Sequence, residues 1–270
     1  MAIEDMCLEA SCDIPKDVLR CYYDAIEAER NPVGRDVLGQ LVENADIAHR
    51  MRIPSCQDTG MAVVFLEIGT EIVFRGKLPE TAVNEGIKAG YEKGLLRKSI
   101  VRHPLDRINT GDNTPAVIHY EFTEGDRLRL VLMPKGFGSE NMSALAMLEP
   151  ADGIDGVVRF IVDTVEKAGP NPCPPVFVGV GLGGTAEKAM LLAKKSLLRK
   201  PGVRSTVGID AMLEERLLNE INMTGIGPAG LGGSTTAFDV FVESYPTHIA
   251  GLPVAVNICC HALRHKERIL

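Results

Sequence analysis

Ala116-Val117-Ile118-His119-Tyr120-Glu121-Phe122, then Thr123-Glu124-Gly125-Asp126, then Arg127-Leu128-Arg129-Leu130-Val131-Leu132-Met133. Two runs rich in β-branched, aromatic and aliphatic residues flank a short polar turn containing Gly125, and this arrangement predicts a β-hairpin. A different pattern stands further on. Residues 175–180 form a short apolar strand that feeds Gly181-Leu182-Gly183-Gly184, and helical periodicity follows from 185 to about 198. Hairpins and strand–helix units in one chain predict a mixed α/β (α+β) protein whose loops at strand ends are the places to look for chemistry.

Working outward, Asp13 and Pro15 open a helix with Val18, Leu19, Tyr22, Ala25 and Ile26 at helical spacing, and Pro32 stops it. A second helix is predicted over 33–50 and a third over 79–98. Strands are predicted at 61–67 and 71–74 around a turn at Gly69. Further helices are expected over 152–167, stopped by Gly169-Pro170, and over 210–222. A glycine-rich loop at 225–234 precedes strands at 236–243 and 253–258. No internal repeat stands out, so we expect one domain spanning 1–270, with a candidate division into two lobes near 145–150.

Composition narrows the function classes. With 270 residues, 45% of them hydrophobic, the chain can bury an ample core. A net charge of −7 with both signs mixed speaks against a nucleic-acid partner. No apolar run approaches the ~20 residues that span a bilayer. The start, Met-Ala-Ile-Glu-Asp-Met-Cys-Leu-Glu-Ala-Ser-Cys-Asp, carries acids where a signal peptide has basic and then apolar residues. We therefore expect a cytoplasmic protein with no membrane partner.

The chain has 7 cysteines, an odd number, and no Cys-x-x-Cys pair. A reducing compartment disfavours disulfides, and the spacing disfavours a zinc finger or ribbon. Buried thiols, a nucleophile, or ligands gathered from distant segments remain. Cys56 sits in Ile53-Pro54-Ser55-Cys56-Gln57-Asp58-Thr59-Gly60, just before a strand. Cys173 sits in Gly169-Pro170-Asn171-Pro172-Cys173-Pro174-Pro175, again before a strand. Cys260 follows Pro253-Val254-Ala255-Val256-Asn257-Ile258 and precedes His261. Each loop is anchored by a strand, which is how a rigid scaffold presents ligands. Cys7, Cys12, Cys21 and Cys259 lie in ordinary helix or strand settings. The bland alternative for any one of these thiols is a small buried hydrophobe.

Two glycine motifs need weighing. Gly179-x-Gly181-x-x-Gly184 follows a strand and opens a helix, as in a dinucleotide fingerprint. The acid expected ~20 residues on is replaced by Arg199-Lys200-Pro201-Gly202-Val203-Arg204. Close helix–strand packing explains these glycines better, and an NAD-binding enzyme is kept as the alternative from another class. The loop at 225–233 can be read as an anion cradle, a substrate-side loop or an interface loop.

Six segments carry a resemblance. They are Pro54-Ser55-Cys56-Gln57-Asp58-Thr59-Gly60, Asn109-Thr110-Gly111-Asp112-Asn113-Thr114-Pro115 and Pro134-Lys135-Gly136-Phe137-Gly138-Ser139-Glu140-Asn141. Next come Asn171-Pro172-Cys173-Pro174-Pro175 with Gly179-Val180-Gly181, and Gly225-Ile226-Gly227-Pro228-Ala229-Gly230-Leu231-Gly232-Gly233. The last is His248-Ile249-Ala250-Gly251-Leu252-Pro253-Val254-Ala255-Val256. In this order they resemble class I, iron–sulfur fumarases and tartrate dehydratases across nearly the whole chain. The resemblance implies that Cys56, Cys173 and Cys260 hold a 4Fe–4S cluster with one iron not bound by protein, free to act as a Lewis acid. It implies catalytic roles for Asp58 and His248, and substrate binding by Gln57, Asp58, Arg97 and the backbone of Gly136 and Gly138. Phe137 departs from the glycine common at its place. Taken without these motifs, Asp58 reads as a turn cap, Arg97 as a solvated helix end and His248 as a core histidine.

One-chain members of the family carry a second region with further arginines, a lysine and the proposed base. The present sequence ends soon after Cys260, where two-subunit members divide. A β subunit in an α2β2 assembly is therefore implied, with a small dicarboxylate as substrate. The expected reaction is reversible dehydration of (S)-malate to fumarate. It is ranked first because tartrate dehydratases usually lack the Ser139-Glu140-Asn141 wording; tartrate and mesaconate-type substrates stand behind it.

Overall fold

A computed structural model describes residues 2–270. The chain folds into two compact units. Unit 1 comprises Met1–Pro15, Asn44–Phe137 and Arg264–Leu270, and unit 2 comprises Lys16–Glu43 and Gly138–Leu263. Both are mixed α/β, as the sequence predicts. Among the described residues no helix is long and apolar enough to cross a membrane.

Unit 1 is built on a sheet of order β2-β1-β3-β8, made of β1 (Met61–Gly69), β2 (Val117–Thr123), β3 (Leu128–Lys135) and β8 (Lys266–Ile269). The two runs that read as a hairpin are both strands, but they do not pair. β1 lies between them, parallel to β2 and antiparallel to β3. The reason is burial. β1 (MAVVFLEIG) is apolar almost throughout and takes the central position, whereas β2 is largely exposed. The turn still needs partners for its backbone, and the end of β1 supplies them. Gly69 N–H donates to the Arg127 carbonyl, Thr70 N–H to that of Thr123 and Glu71 N–H to that of Gly125, each at 2.9 Å. Those bonds occupy residues 69–71 and no strand forms at 71–74, contrary to expectation. β8 completes the other edge, antiparallel to β3.

Two helices cover this sheet. α1 (Ala2–Cys12), which the sequence reading did not identify, buries Ile3, Met6, Cys7 and Ala10. α4 (Pro79–Lys93) buries Val83, Ile87 and Tyr91 and stops at Gly94, short of the expected 98. Together with Val64, Leu66, Leu130 and Leu132 they form one core.

Unit 2 has a sheet of order β4-β7-β5-β6, from β4 (Ala144–Leu148), β5 (Val176–Gly183), β6 (Ala237–Tyr245) and β7 (Leu252–Cys259). Only β5 and β6 are parallel. Its helices are α2 (Lys16–Ala28), α5 (Phe137–Glu140), α6 (Gly153–Ala168), α7 (Ala186–Ser196) and α8 (Gly208–Met223), α5 beginning on the last residue of unit 1. One of the boundaries between units, that between Glu43 and Asn44, falls within α3 (Pro32–Met51). α6 and α8 bury Val157, Ile161, Val165, Leu213, Leu217 and Ile221 against Val178, Val180, Val240 and Val256.

The fingerprint-like glycines are accounted for by α7. A Cβ on Gly179 would lie 2.1 Å from the Ala193 carbonyl oxygen, and one on Gly181 2.0 Å from that of Ala189. Neither position tolerates a side chain, because the helix backbone lies directly on the strand. Close packing explains the motif, and the mixed sheet lacks the doubly wound parallel pattern of a dinucleotide fold.

Candidate functional site

In unit 1 the loop at residues 55–60 is fixed through its carbonyls. Asn44 donates to the Ser55 carbonyl at 2.8 Å, and Arg264 to that of Asp58 at 2.6 Å. The Tyr91 hydroxyl bridges the carbonyls of Thr59 and Gly60 at 2.7 and 3.0 Å, and Asn113 also donates to Gly60 at 3.1 Å. Burial pushes the Tyr91 hydroxyl up from its ordinary pKa, so it remains a donor. Cys56, Gln57 and Asp58 thus sit on a loop clamped at both ends. Signals for the clamp were weak: Asn113 lies within a recognised motif, while Tyr91 and Asn44 read as ordinary helix residues.

The same loop gathers the other predicted groups of this unit. The Asp58 carboxylate accepts from Gly60 N–H at 2.9 Å through Oδ1 and from Phe137 N–H at 2.8 Å through Oδ2. Gly136 lies against it, since a Cβ there would be 3.3 Å from Oδ2. Phe137, the departure from the family pattern, therefore contributes its backbone rather than its ring, which is half-exposed. The Thr59 hydroxyl donates to the Arg97 carbonyl at 2.9 Å. Asn113, buried at φ +62°, accepts from Ser99 N–H at 2.7 Å. Gln57, Asp58, Arg97 and Gly136 are in this way brought to one place, and the exposed Arg97 side chain makes no ion pair among the described residues.

Unit 2 holds the remaining predicted residues in two places. Cys173 is exposed in the loop before β5, at φ +55°, a left-handed conformation uncommon for a residue with a Cβ. Its carbonyl accepts from His261 N–H at 3.5 Å, next to Cys260 at the end of β7. Tyr22, buried on α2, donates to the His261 carbonyl at 3.0 Å and lies 3.1 Å from its Nδ1. Gly138, in α5, approaches the Asn171 carbonyl two residues before Cys173. The second place is the loop after β6. There His248 is exposed, its Nδ1 accepts from Ala250 N–H at 3.2 Å, and it lines a shallow concavity with Tyr245, Lys188 and Leu191.

Just past the glycine-rich loop at 225–233, Ser234 and Thr235 hold an anion supplied by this chain, with Gly233 packed against it and no amide of 225–233 among its bonded donors. Glu29, fully buried, accepts from Ser234 and Thr235 N–H at 2.9 Å, and from the Ser234 hydroxyl at 3.1 Å. It also accepts from Asn31 N–H at 2.9 Å. Burial opposes its charge, yet these donors outweigh that and hold its pKa at about 2. The loop in turn supports the Cys173 loop, where Ala229 N–H donates to the Pro174 carbonyl at 2.8 Å. Neither Glu29 nor its partnership was predicted, since a glutamate at a helix end carries no local signal.

The seven thiols, none of them in a disulfide, divide by environment. Burial pushes Cys7 up to about 12 and, helped by Asp239, Asp24 and Asp17, Cys21 to about 12 as well. Cys12 is raised by burial too, and Cys259 is buried as the last residue of β7. Cys56 and Cys260 are half-buried on loops and Cys173 is exposed. Within either unit, among the described residues, no group of three or more His, Cys, Asp or Glu side chains is arranged to hold a metal ion.

Known proteins resemble the chain over its length. A protein named putative L(+)-tartrate dehydratase subunit alpha, from Methanocaldococcus jannaschii, is 46% identical over 264 residues, covering 95% of this chain and 92% of that one. L(+)-tartrate dehydratase subunits alpha from Escherichia coli strains UTI89 and K12 are 32% and 31% identical over 258 residues, covering 94% of this chain and 84% of theirs. The family model described as Fumarate hydratase (Fumerase) matches residues 1–269, and the chain belongs to that family of hydro-lyases.

Proposed function

We propose that this chain is the α subunit of a two-subunit hydro-lyase that removes water from a small 2-hydroxydicarboxylate, with L(+)-tartrate placed ahead of (S)-malate and mesaconate-type substrates. The observation that carries the chemistry is the gathering of Gln57, Asp58, Arg97 and Gly136 around one clamped loop. Elimination of water needs a proton-transfer group near a weakly acidic C–H, and cations for the charge that develops on the adjacent carboxylate. Asp58 is aimed by two backbone donors while keeping further lone pairs for a proton. Arg97, without an internal carboxylate, suits a substrate carboxylate as a bidentate partner. Gln57 and the backbone of Gly136 and Gly138 orient the substrate, and His248 assists proton transfer.

Cys56, Cys173 and Cys260 would hold a 4Fe–4S cluster. Their loop positions, half-buried for Cys56 and Cys260 and exposed for Cys173, suit thiolate ligands, while Cys7 and Cys21 are held protonated. The unpartnered, buried Nε of Arg264 beside the Cys56 loop fits an anionic group held there. When bound, such a cluster supplies Lewis-acid activation of the departing hydroxyl. The relatives are named as alpha subunits. A β subunit, in an α2β2 assembly, would supply the remaining base and cations.

Tartrate moves ahead of malate on the names of those relatives. In the cue that favoured malate, Ser139-Glu140-Asn141, the first two residues have a structural use here, while Asn141 is exposed. Ser139 is buried, and Glu140 binds Lys194 and Asn257 within unit 2. Side chains committed to the scaffold report little about substrate. An anaerobically reconstituted α–β complex should be assayed on L(+)-tartrate, (S)-malate and mesaconate side by side. Dehydrating tartrate leaves an enol that becomes a 2-oxo acid, which a carbonyl reagent detects. A site that hydrogen-bonds the second hydroxyl rejects the analogue lacking it by ~10⁴–10⁵. Malate turnover tenfold above tartrate in kcat/KM would reverse the order.

A further inference from the structure

Arg264 is only 3% exposed, yet its charge has no partner of opposite sign. Nη2 donates to the Asp58 carbonyl at 2.6 Å and Nη1 reaches the Ser55 hydroxyl at 3.4 Å. Nε is buried without a hydrogen-bond partner. No carboxylate among the described residues forms an ion pair with this guanidinium. An arginine stays charged at any ordinary pH, and a buried charge without a counter-charge is strongly unfavourable. Holding the loop does not explain the cost. Neutral donors from Asn44, Tyr91 and Asn113 already secure the carbonyls of Ser55, Thr59 and Gly60. A glutamine or asparagine could serve Asp58 in the same way, so the charge itself has a use. The two residues it grips flank Cys56 and Gln57.

We propose that Arg264 is a positioning residue whose buried positive charge retains an anionic group on the loop at residues 55–58; on the reading above, that group is the cluster with its thiolate ligands. The inference rests on that reading and adds a determinant outside the ligand set. A mere clamp would lower stability without selectively lowering retention of the group.

The test uses the full chain co-expressed with its second subunit and carrying Arg264→Gln or Arg264→Lys, beside the parent. Iron per chain, visible absorbance and the rate of iron loss to a chelator are measured after anaerobic reconstitution, with the melting temperature of the iron-free protein as control. Arg264→Gln should stay folded but retain at least about threefold less iron and lose it faster. Arg264→Lys, which restores the charge, should retain iron near the parent level. Parent-level iron in Arg264→Gln would overturn the inference, as would a folded Arg264→Lys that loses iron as badly as Arg264→Gln. If Arg264→Gln does not fold, Arg264→Lys decides by itself: iron at the parent level supports the inference, and loss from the folded variant overturns it. A parent that takes up no iron overturns the cluster reading and this inference together. A parent that loads normally beside an equally loaded Arg264→Gln overturns the inference alone.

Discussion

Replacing Glu29 with glutamine tests whether the glycine-rich loop is held by an internal anion. The carboxylate accepts backbone N–H bonds from Asn31, Ser234 and Thr235 at 2.9 Å. Gly233, at φ +145°, is shaped around it, since a Cβ there would lie 2.9 Å from both carboxylate oxygens. The fall in pKa from 4.5 to about 2, at ~1.4 kcal/mol per unit, corresponds to about 3 kcal/mol of preference for the charged form. Glutamine keeps one acceptor but turns an NH2 group toward donors. Glu29→Gln should therefore cost about 2–3 kcal/mol at neutral pH, a loss of ~5–10 °C in melting temperature. The folded pKa lies below the unfolded one. Glu29 thus contributes its full stability above about pH 4.5, and that contribution fades as pH falls toward 2. Urea unfolding of both proteins at steps between pH 7 and pH 3 should show a constant gap above pH 5 that narrows below it. A gap under ~0.5 kcal/mol at pH 7, or one that ignores acid, would refute the reasoning. Because Ala229 passes the support on to Pro174, the variant should also expose the Cys173 loop to faster proteolysis.

The thiol assignment predicts that serine at Cys56, Cys173 or Cys260 abolishes iron uptake while serine at Cys7, Cys12 or Cys21 spares it; a cluster lost in Cys259→Ser but kept in Cys260→Ser would move the third ligand. Gly181→Ala should destabilise by at least ~1–3 kcal/mol, because its Cβ would meet the Ala189 carbonyl at 2.0 Å. An NADH titration of the parent should meanwhile show no binding. The α subunit without its partner should have no measurable dehydratase activity even when loaded with iron, since each missing proton-transfer or electrostatic contribution is worth on the order of 10²–10⁴ in rate. Turnover by the lone chain would mean that a complete acid–base set lies within these residues.

Fold class was readable because alternating and helical periodicities are local properties. Pairing was not. Residues 116–122 and 127–133 carry every local sign of a hairpin, and both are strands, yet β1 stands between them. Nothing within those residues could reveal this, for the decision rests on the greater apolar content of a strand about fifty residues earlier competing for the same edges. The edge strand β8 (KERI) and the short β4 escaped for the opposite reason. Each has too few residues to show a period, and each is strand only because β3 or β7 offers it unpaired backbone groups. The acidic N-terminal segment, read for its lack of leader character, hid a helix whose apolar face is completed by α4.

At the site, the segments were legible as words and the division of labour among their letters was not. Asp58, Gln57, Arg97 and Gly136 do converge in unit 1. What converges them, however, is Thr59 reaching the Arg97 carbonyl and Asn113 joining Ser99 to Gly60, side chains that a motif names without explaining. Glu140 shows the reverse. Its segment served to rank malate first, yet the side chain bonds to Lys194 and Asn257, and Asn257 is fully buried on β7. A buried polar network of this kind specifies how α5 and α7 meet the strand that leads to Cys260. It would be needed whichever of the proposed substrates is taken. On the proposed function, substrate choice is to be sought in side chains that the scaffold leaves uncommitted, such as the exposed Gln57 and Arg97 of unit 1. Discrimination between one hydroxyl and two is thus to be sought in variants of those side chains, with the Ser139–Asn141 wording left intact.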